Sequence, residues 1–123
     1  MNSHLWFTLP LRLVNALNRR EHWATKAKRS AAHRHAVTMQ LKAGRIRPPP
    51  LPLVVTMTRV APRAFDDDAL PGSFKAVRDA VAAFYGVDDG PKETRLRWRY
   101  AYRRGEPKQY AIEVGLAPWR SDR

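Results

Sequence analysis

The stretch LVVTMTRV, residues 53–60, decides the fold. It is dominated by β-branched and other apolar residues, and such a run predicts a strand near the centre of a sheet. The stretch before it, RPPPLP at residues 47–52, contains Pro48, Pro49 and Pro50. Three consecutive prolines exclude a helix and predict a short polyproline spacer, so any helix that precedes residue 47 is separated from this strand.

The chain before the spacer predicts a strand and a long helix. LWFTLPLRLV, residues 5–14, is rich in aromatic and branched residues, and Pro10 within it predicts an edge position or an early end. From residue 21 to residue 43, apolar residues recur near a 3.6-residue period, and Gly44 is placed as a helix stop. The expected apolar positions are Trp23, Ala27, Ala31 or Ala32, Ala36 or Val37, Met39 and Leu41.

The chain after the central strand predicts a second helix between residues 70 and 86. Its apolar stripe repeats at spacings of three and four and consists of Phe74, Val77, Val81 and Phe84. Asp68 is the predicted N-cap, with Ser73 as the alternative, and Gly86 is placed to end the helix.

Two more strands are expected beyond this helix. TRLRWRYAYRR, residues 94–104, alternates basic with apolar or aromatic residues, which is typical of a half-buried strand with a basic face. RRGEPK predicts a turn, and QYAIEVGL, residues 109–116, predicts a last strand with Tyr110, Ile112 and Val114 on one side. The predicted fold is a single α/β (α+β) domain over residues 1–123, with a mixed sheet and two main helices in the order β-α-β-α-β-β. Residues 120–123 are expected to form a disordered tail.

Composition excludes several classes of site. The 123 residues include no cysteine, so disulfides, thiolate zinc sites and a cysteine nucleophile are excluded. No apolar run approaches the length of a membrane span, and we expect a cytoplasmic protein that does not bind membranes.

Charge is distributed unevenly along the chain. Twenty-three Lys and Arg against eleven Asp and Glu give a formal net charge of +12, which is typical of proteins that bind a polyanion. Residues 19–47 contain a single acid, Glu21, among many cations, whereas residues 66–89 contain six of the eleven acids. We therefore expect the first segment to face phosphates.

The acidic residues suggest a metal site. Asp66 and Asp68 lie two apart in an extended segment, which places both side chains on one face. Oxygen ligands without Cys or His favour a hard ion, Mg²⁺ or Mn²⁺, and such an ion in a basic protein suggests phosphodiester hydrolysis. Asp88 and Asp89 follow the second helix, so they join this site only if the chain doubles back along the helix or the helix starts near Ser73. In the alternative interpretation, these aspartates are helix caps and turn residues.

Lys75 lies near the start of the second helix, where the helix dipole does not favour a cation. Its position is explained if it faces a phosphate and stabilises the charge of the transition state.

The string DDDALPGSFKAVRDAVAAFYGVDDG, residues 66–90, resembles the RusA-type Holliday-junction resolvases, particularly the phage and prophage members. Those proteins have an Asp-x-Asp-Asn-Leu element, a helix with a Lys-Ala-x-x-Asp segment, and a following pair of aspartates. The matching positions here are Asp66, Asp68, Leu70, KAVRD at residues 75–79, Asp88 and Asp89. Asn18 matches an asparagine that precedes the family's basic helix, and residues 95–114 resemble its closing hairpin.

The resemblance implies a homodimeric, Mg²⁺-dependent endodeoxyribonuclease that makes paired nicks in four-way DNA junctions during recombination and repair, with no organic cofactor. Asp66, Asp68 and Asp89 would hold the metal and, with Lys75, form the catalytic set, while Asp88 would support the ligands. The expected DNA-binding residues are Asn18, Arg19, Arg20, Lys26, Lys28, Arg29 and Arg34. Ala69 stands where the family has Asn, and Pro71 and Gly72 interrupt the helix start, so a poorly active member stays an alternative.

Other residues have simpler interpretations. His33 and His35 are expected at the surface or against phosphate, because two residues two apart on a helix do not share one metal. Trp98, Tyr100 and Tyr102 are able to stack on bases, but core packing is the preferred interpretation, as it is for Trp23. The competing function is a non-catalytic basic module that binds DNA or RNA.

Overall fold

The computed structural model describes residues 4–15, 22–65 and 69–119. Several predictions concern residues outside these ranges: the metal ligands Asp66 and Asp68, the DNA-binding residues Asn18, Arg19 and Arg20, and the tail at residues 120–123.

Seven elements follow one another along the chain. They are β1 (Leu5–Leu9), α1 (Trp23–Ala43), β2 (Leu53–Ala61), α2 (Leu70–Ser73), α3 (Lys75–Tyr85), β3 (Leu96–Arg104) and β4 (Ala111–Pro118). The predicted order of strands and two main helices is confirmed, and α2 is one additional helical turn. In the parts of the chain that are described, no helix has the length and apolar character needed to cross a membrane.

The four strands form one mixed sheet in the order β1-β4-β2-β3. β2 pairs in parallel with β3, and β4 pairs antiparallel with both β1 and β2. The predicted central position of β2, the edge position of β1 and the mixed character of the sheet are confirmed.

The expected closing hairpin between β3 and β4 is wrong, because β2 lies between them. β4 is an interior strand, and its core-facing side chains Ile112, Val114 and Leu116 are fully buried. β3 instead carries exposed arginines at Arg97 and Arg99 and occupies the sheet edge. Residues 105–110 therefore cross the end of β2 rather than forming a tight hairpin turn.

The hydrophobic core lies on one face of the sheet, beneath α1 and α3. Each strand contributes only alternate residues to it, for example Val55 and Met57 of β2 and Val114 and Leu116 of β4. The helices contact each other and contribute the buried side chains of Val37, Leu41, Val77, Ala80, Val81 and Ala82, with Phe74 at the start of α3, and Leu13 adds a further buried side chain after β1. Alternate side chains of each strand thus lie on opposite faces of the sheet, one covered by α1 and α3 and the other uncovered.

The buried face of α1 includes the predicted Val37 and Leu41 but differs from the prediction elsewhere. Trp23 was expected in the core, yet 76% of its surface is exposed, and it stacks on the ring of His22 at the start of the helix. The buried residues are His33, Val37 and Leu41, at an i, i+4, i+8 spacing. Only this part of the 21-residue helix lies over the core, so its first turn remains in solvent.

The second helical region is interrupted at its start, as Pro71 and Gly72 suggested. Ser73 is not the cap of α3, because its hydroxyl donates to the carbonyl oxygen of Leu70 at 2.7 Å. α3 begins after Phe74 without a side-chain cap, and Phe74 itself is fully buried. At the other end Gly86 stops the helix in the left-handed conformation (φ 70°), which glycine adopts without strain.

The uncovered sheet face is partly apolar and partly basic. Trp6 of β1 lies over Gly115 of the adjacent strand, where an added Cβ atom would be 2.3 Å from two indole carbons. On the opposite edge Arg97 stacks on the ring of Trp119 at 3.7 Å. The basic face predicted for β3 therefore belongs to the sheet surface that no helix covers.

We expect Gly115→Ala to lower the free energy of unfolding by about 1–3 kcal/mol, because the new methyl group displaces the Trp6 indole. Chemical denaturation of the single variants and the double variant with Trp6→Ala measures this coupling. In the Trp6→Ala background the same substitution should be neutral or stabilising, since alanine is less flexible than glycine. Equal losses in both backgrounds would contradict the contact.

A candidate active site around Lys75

Lys75 lies between two carboxylates. Its Nζ atom donates to Oδ1 of Asp79 at 3.0 Å and to Oδ2 of Asp89 at 3.1 Å. Asp79 is four residues further along the same helix, whereas Asp89 comes from the loop that follows α3. The ammonium group thus joins the beginning of the helix to a loop that is distant in sequence.

The chain reaches this arrangement by reversing at Gly86. The N–H of Gly86 binds the carbonyl oxygens of Ala82 and Ala83, and the N–H of Val87 donates to Ala82 at 3.0 Å. The following residues then run back along the helix until Asp89 meets Lys75. The sequence analysis required a chain that doubles back or a helix that starts near Ser73 for Asp89 to approach the start of the helix. The structure has both features, because the chain doubles back after Gly86 and α3 begins only at Lys75.

The pairing shifts the pKa values of both partners. Burial raises the pKa of Asp89, but the hydrogen bond from Lys75 and the charges of Lys75 and Arg78 outweigh it, so the net pKa is lower than usual. The pKa of Lys75 is raised by its hydrogen bonds to Asp79 and Asp89. Near neutral pH the site therefore holds an ammonium and an ionised Asp89.

Asp79 is a site residue that the functional interpretation of the sequence did not include. Its signal was the i, i+4 spacing from Lys75, which places two helical side chains on one face. Asp88, expected to support the metal ligands, has its Oδ1 atom 3.2 Å from the N–H of Gly90 and is exposed. This contact is an ordinary turn hydrogen bond, and it directs Asp88 to a different partner from that of Asp89.

Of the three predicted metal ligands, Asp89 lies within the residues that the structure describes. Within residues 4–15, 22–65 and 69–119 no three His, Cys, Asp or Glu residues lie close enough together to hold an ion. Asp89 offers a partly buried carboxylate, and oxygen donors of this kind suit Mg²⁺. The chemistry of the available donor therefore fits the expected ion, with Asp66 and Asp68 as the further ligands predicted from the sequence.

A cavity of about 260 Å³ opens beside Lys75, between α1 and the junction of α2 with α3. Its lining includes five nitrogen-bearing side chains, which are those of Lys26, Arg29, His33, Lys75 and Arg78. Two of the residues expected to bind DNA, Lys26 and Arg29, thus meet the residue expected to act in catalysis at one cavity.

The DNA-binding residues predicted on α1 lie on more than one face of the helix. Lys26 and Arg29 line the cavity, whereas Lys28 and Arg34 are exposed and are not part of its lining. With 3.6 residues per turn, Lys28 points about 200° away from Lys26. These four cations therefore do not contact the same phosphate.

His33 was expected at the surface or against phosphate, and the surface alternative is wrong. Its side chain is buried, with 8% of the residue exposed, and it lines the cavity. Burial, followed by the nearby charge of Arg29, lowers the pKa of His33 below its usual value of 6.5. The neutral imidazole is the form that the folded protein favours.

The aromatic residues of β3 belong to the core side of the sheet, as preferred from the sequence. Tyr100 packs against the core, and its hydroxyl accepts from Nη1 of Arg78 at 2.9 Å. The hydroxyl of Tyr102 donates to the carbonyl oxygen of Ala61 at 2.8 Å. The two tyrosine hydroxyls thus hold the Arg78 guanidinium and the Ala61 carbonyl group.

Arg59 anchors the segment that leads to Asp66. It is 5% exposed, its guanidinium lies 3.5 Å from the centre of the Phe65 ring, and Nη1 donates to the carbonyl oxygen of Arg63 at 2.6 Å. Burial lowers the pKa of Arg59. This role was not predicted from the sequence, because an arginine within a strand normally points to solvent.

Comparison with models of known protein families found no match for this chain, and comparison with curated proteins found none either.

We expect Lys75→Met to raise the pKa of Asp89, because burial is then opposed by the charge of Arg78 without the ammonium of Lys75. A carboxyl-carbon NMR titration measures this value. Lys92→Met removes an exposed lysine from the same loop and should leave Asp89 unchanged. An unaltered Asp89 pKa in Lys75→Met would show that the ion pair does not form in solution.

Because the folded-state pKa of His33 is lowered, the unfolded chain binds a proton more readily than the folded one. This group therefore contributes stability above its unfolded pKa, and the contribution falls as the pH drops below about 6.5. Denaturation between pH 7.5 and pH 5 should show a smaller loss of stability for His33→Asn than for the parent protein. His35→Asn, which alters an exposed histidine, should follow the parent protein.

Proposed function

We propose that this protein is a Mg²⁺-dependent endonuclease that cuts branched DNA, with four-way junctions as its preferred substrate. The single observation that supports this most directly is the position of Lys75. Its ammonium binds the carboxylate of Asp89 and also lines a cavity with the cations of α1. A group that joins an acidic site to a basic surface suits the hydrolysis of a polyanion.

The proposed ligands are Asp89, Asp66 and Asp68. Mg²⁺ held there would polarise a phosphoryl oxygen and lower the pKa of a bound water. Lys75 keeps the Asp89 carboxylate oriented and ionised through the hydrogen bond at 3.1 Å. When a phosphate approaches, the same ammonium donates to a non-bridging oxygen and stabilises the negative charge that grows on it during cleavage.

The positions of the other cationic groups agree with metal binding by the aspartates and phosphate binding by Lys75. Arg59 holds the segment that ends at Phe65, directly before the proposed ligand Asp66. Arg78 is positioned by Tyr100 and adds positive charge beside Asp89. Lys26 and Arg29 extend the cationic surface away from the acids, so DNA is drawn to the site without a direct approach to the carboxylates.

We further propose that the active form is a homodimer in the cytoplasm. A four-way junction has approximate two-fold symmetry, and a symmetric dimer presents two equivalent sites to it. Paired nicks then require one Lys75 site from each protomer.

A non-catalytic DNA- or RNA-binding module is the second candidate, and one observation favours it. Both carboxylates beside Lys75 are already satisfied by its ammonium, as in a structural ion pair. In this case the aspartates serve the loop and the helix, and the basic surface alone performs the function.

Cleavage of a labelled four-way junction, beside matched duplex and single strand, distinguishes the two candidates. We expect paired nicks with Mg²⁺ and none with EDTA. Asp66→Asn, Asp68→Asn and Asp89→Asn should each abolish cleavage, while junction binding in EDTA is retained or tightened because repulsion of phosphate falls.

Glu106→Gln provides the matched control, because it removes one negative charge from an exposed position in the connection between β3 and β4. Cleavage by this variant should equal that of the parent protein. Binding without cleavage under every metal condition would reject the nuclease and support the binding module.

A further inference from the structure

We propose that the cavity between α1 and α3 binds one phosphate group, and that in the DNA complex this is a backbone phosphate next to the cleaved one. The second half of this statement rests on the proposed function, whereas the first half does not. The site would hold the strand in register, with Lys26, Arg29 and His33 as positioning residues.

The residues of α1 that line the cavity are spaced by the helical repeat. Lys26, Arg29, Ser30 and His33 follow one another at spacings of three and four, so they share one helix face. Further along the same face Val37 and Leu41 are buried in the core. The inner face of α1 therefore changes from apolar to cationic where it passes the start of α3.

The opposite wall is cationic as well. Lys75 and Arg78 line the cavity from α3, and none of the described residues in the lining is acidic. The hydrogen bond from Nη1 of Arg78 to the Tyr100 hydroxyl, at 2.9 Å, holds this guanidinium at the wall.

The electrostatic environment also favours an anion. Burial and then the positive charge of Arg29 lower the pKa of His33, and the Arg29 contribution shows that cationic charge acts on this cavity. The groups that face this histidine are Lys26 and Arg29 on its own helix and Lys75 and Arg78 across the cavity. A phosphate would neutralise this concentration of charge and accept hydrogen bonds from several of these groups.

The size of the cavity restricts the ligand. Its volume of about 260 Å³ is below the range of about 300–1,000 Å³ that is usual for drug-sized molecules, and it exceeds the space of one water many times. A single phosphate group with some of its hydration fits this space. The cationic lining, rather than the volume, favours a phosphate group over a base.

Two histidines on one helix provide an internal comparison for the first experiment. Inorganic phosphate is titrated into the protein in EDTA at constant ionic strength, and the ring resonances of His33 and His35 are followed by NMR. We expect a saturable shift of His33 and no comparable shift of the exposed His35. Equal, non-saturating shifts of both rings would overturn the proposal.

Charge removal tests the same site without disturbing the core. Lys26→Gln, at an exposed residue, should weaken phosphate binding by about tenfold, since a charge-assisted hydrogen bond is lost. Lys42→Gln removes the same charge from the same helix about 24 Å away and should leave the midpoint within a factor of two. Equal weakening by both substitutions would indicate a general charge effect and overturn the cavity site.

The source of the phosphate is tested with DNA. Four-way junctions that contain one uncharged methylphosphonate linkage at a time are bound in EDTA by the parent protein and by Lys26→Gln. We expect one linkage next to the cleaved bond at which the replacement weakens junction binding by the parent protein about tenfold. The same replacement should weaken binding by Lys26→Gln far less, because both changes remove the same contact. If His33 responds to inorganic phosphate but no linkage shows this coupling, the ligand is a free phosphate and the DNA assignment is wrong.

These results are separable from those on cleavage. A protein that cuts junctions while His33 ignores phosphate would retain the proposed function and lose the cavity site. A protein whose His33 binds phosphate without any metal-dependent cleavage would keep the cavity site and lose the nuclease.

Discussion

The double pairing of β2 is the constraint on which the rest of the structure depends. This strand exchanges hydrogen bonds with β4 on one side and β3 on the other, and its alternate side chains Val55 and Met57 are completely buried. Because β2 and β3 are parallel, the chain between them must cross over a face of the sheet, and α3 is the segment that does so. The side of the sheet on which α1 and α3 meet follows from this crossover.

The candidate site occupies the region that this crossover creates. One end of the crossing segment is held by Arg59, which lies on β2 itself and contacts Phe65. The other part is held by Lys75, which ties the returning loop to the start of α3. The path of the chain thus keeps the acidic Asp79 and Asp89 beside the cationic Lys75. This local pairing offsets part of the repulsion that a net charge of +12 creates in the folded protein.

Local sequence patterns predicted most of the helices and strands but not which strands pair with each other in the sheet. The β-branched run in β2 and the alternation in β3 are properties of a strand and its two faces, so both were readable from the sequence. The partner of β4 is not encoded in such a pattern, and the expected hairpin was therefore wrong. At the site, the contact of Lys75 with Asp79 follows from helical spacing, whereas the contact with Asp89 depends on how Gly86 reverses the chain. His33 was misplaced because a search for apolar stripes passes over a histidine that lies in line with Val37 and Leu41.

The position of β4 has a consequence for how the protein is made. Among the described strands, β1 pairs with no strand but β4, although more than a hundred residues separate their first pairs, such as Leu5 and Leu116. During synthesis β1 therefore waits without its partner while the basic helix and β2 leave the ribosome, and long-range pairing of this kind forms slowly. The emergence of β4 from the ribosome is the event that closes the sheet and gives α1 a folded support.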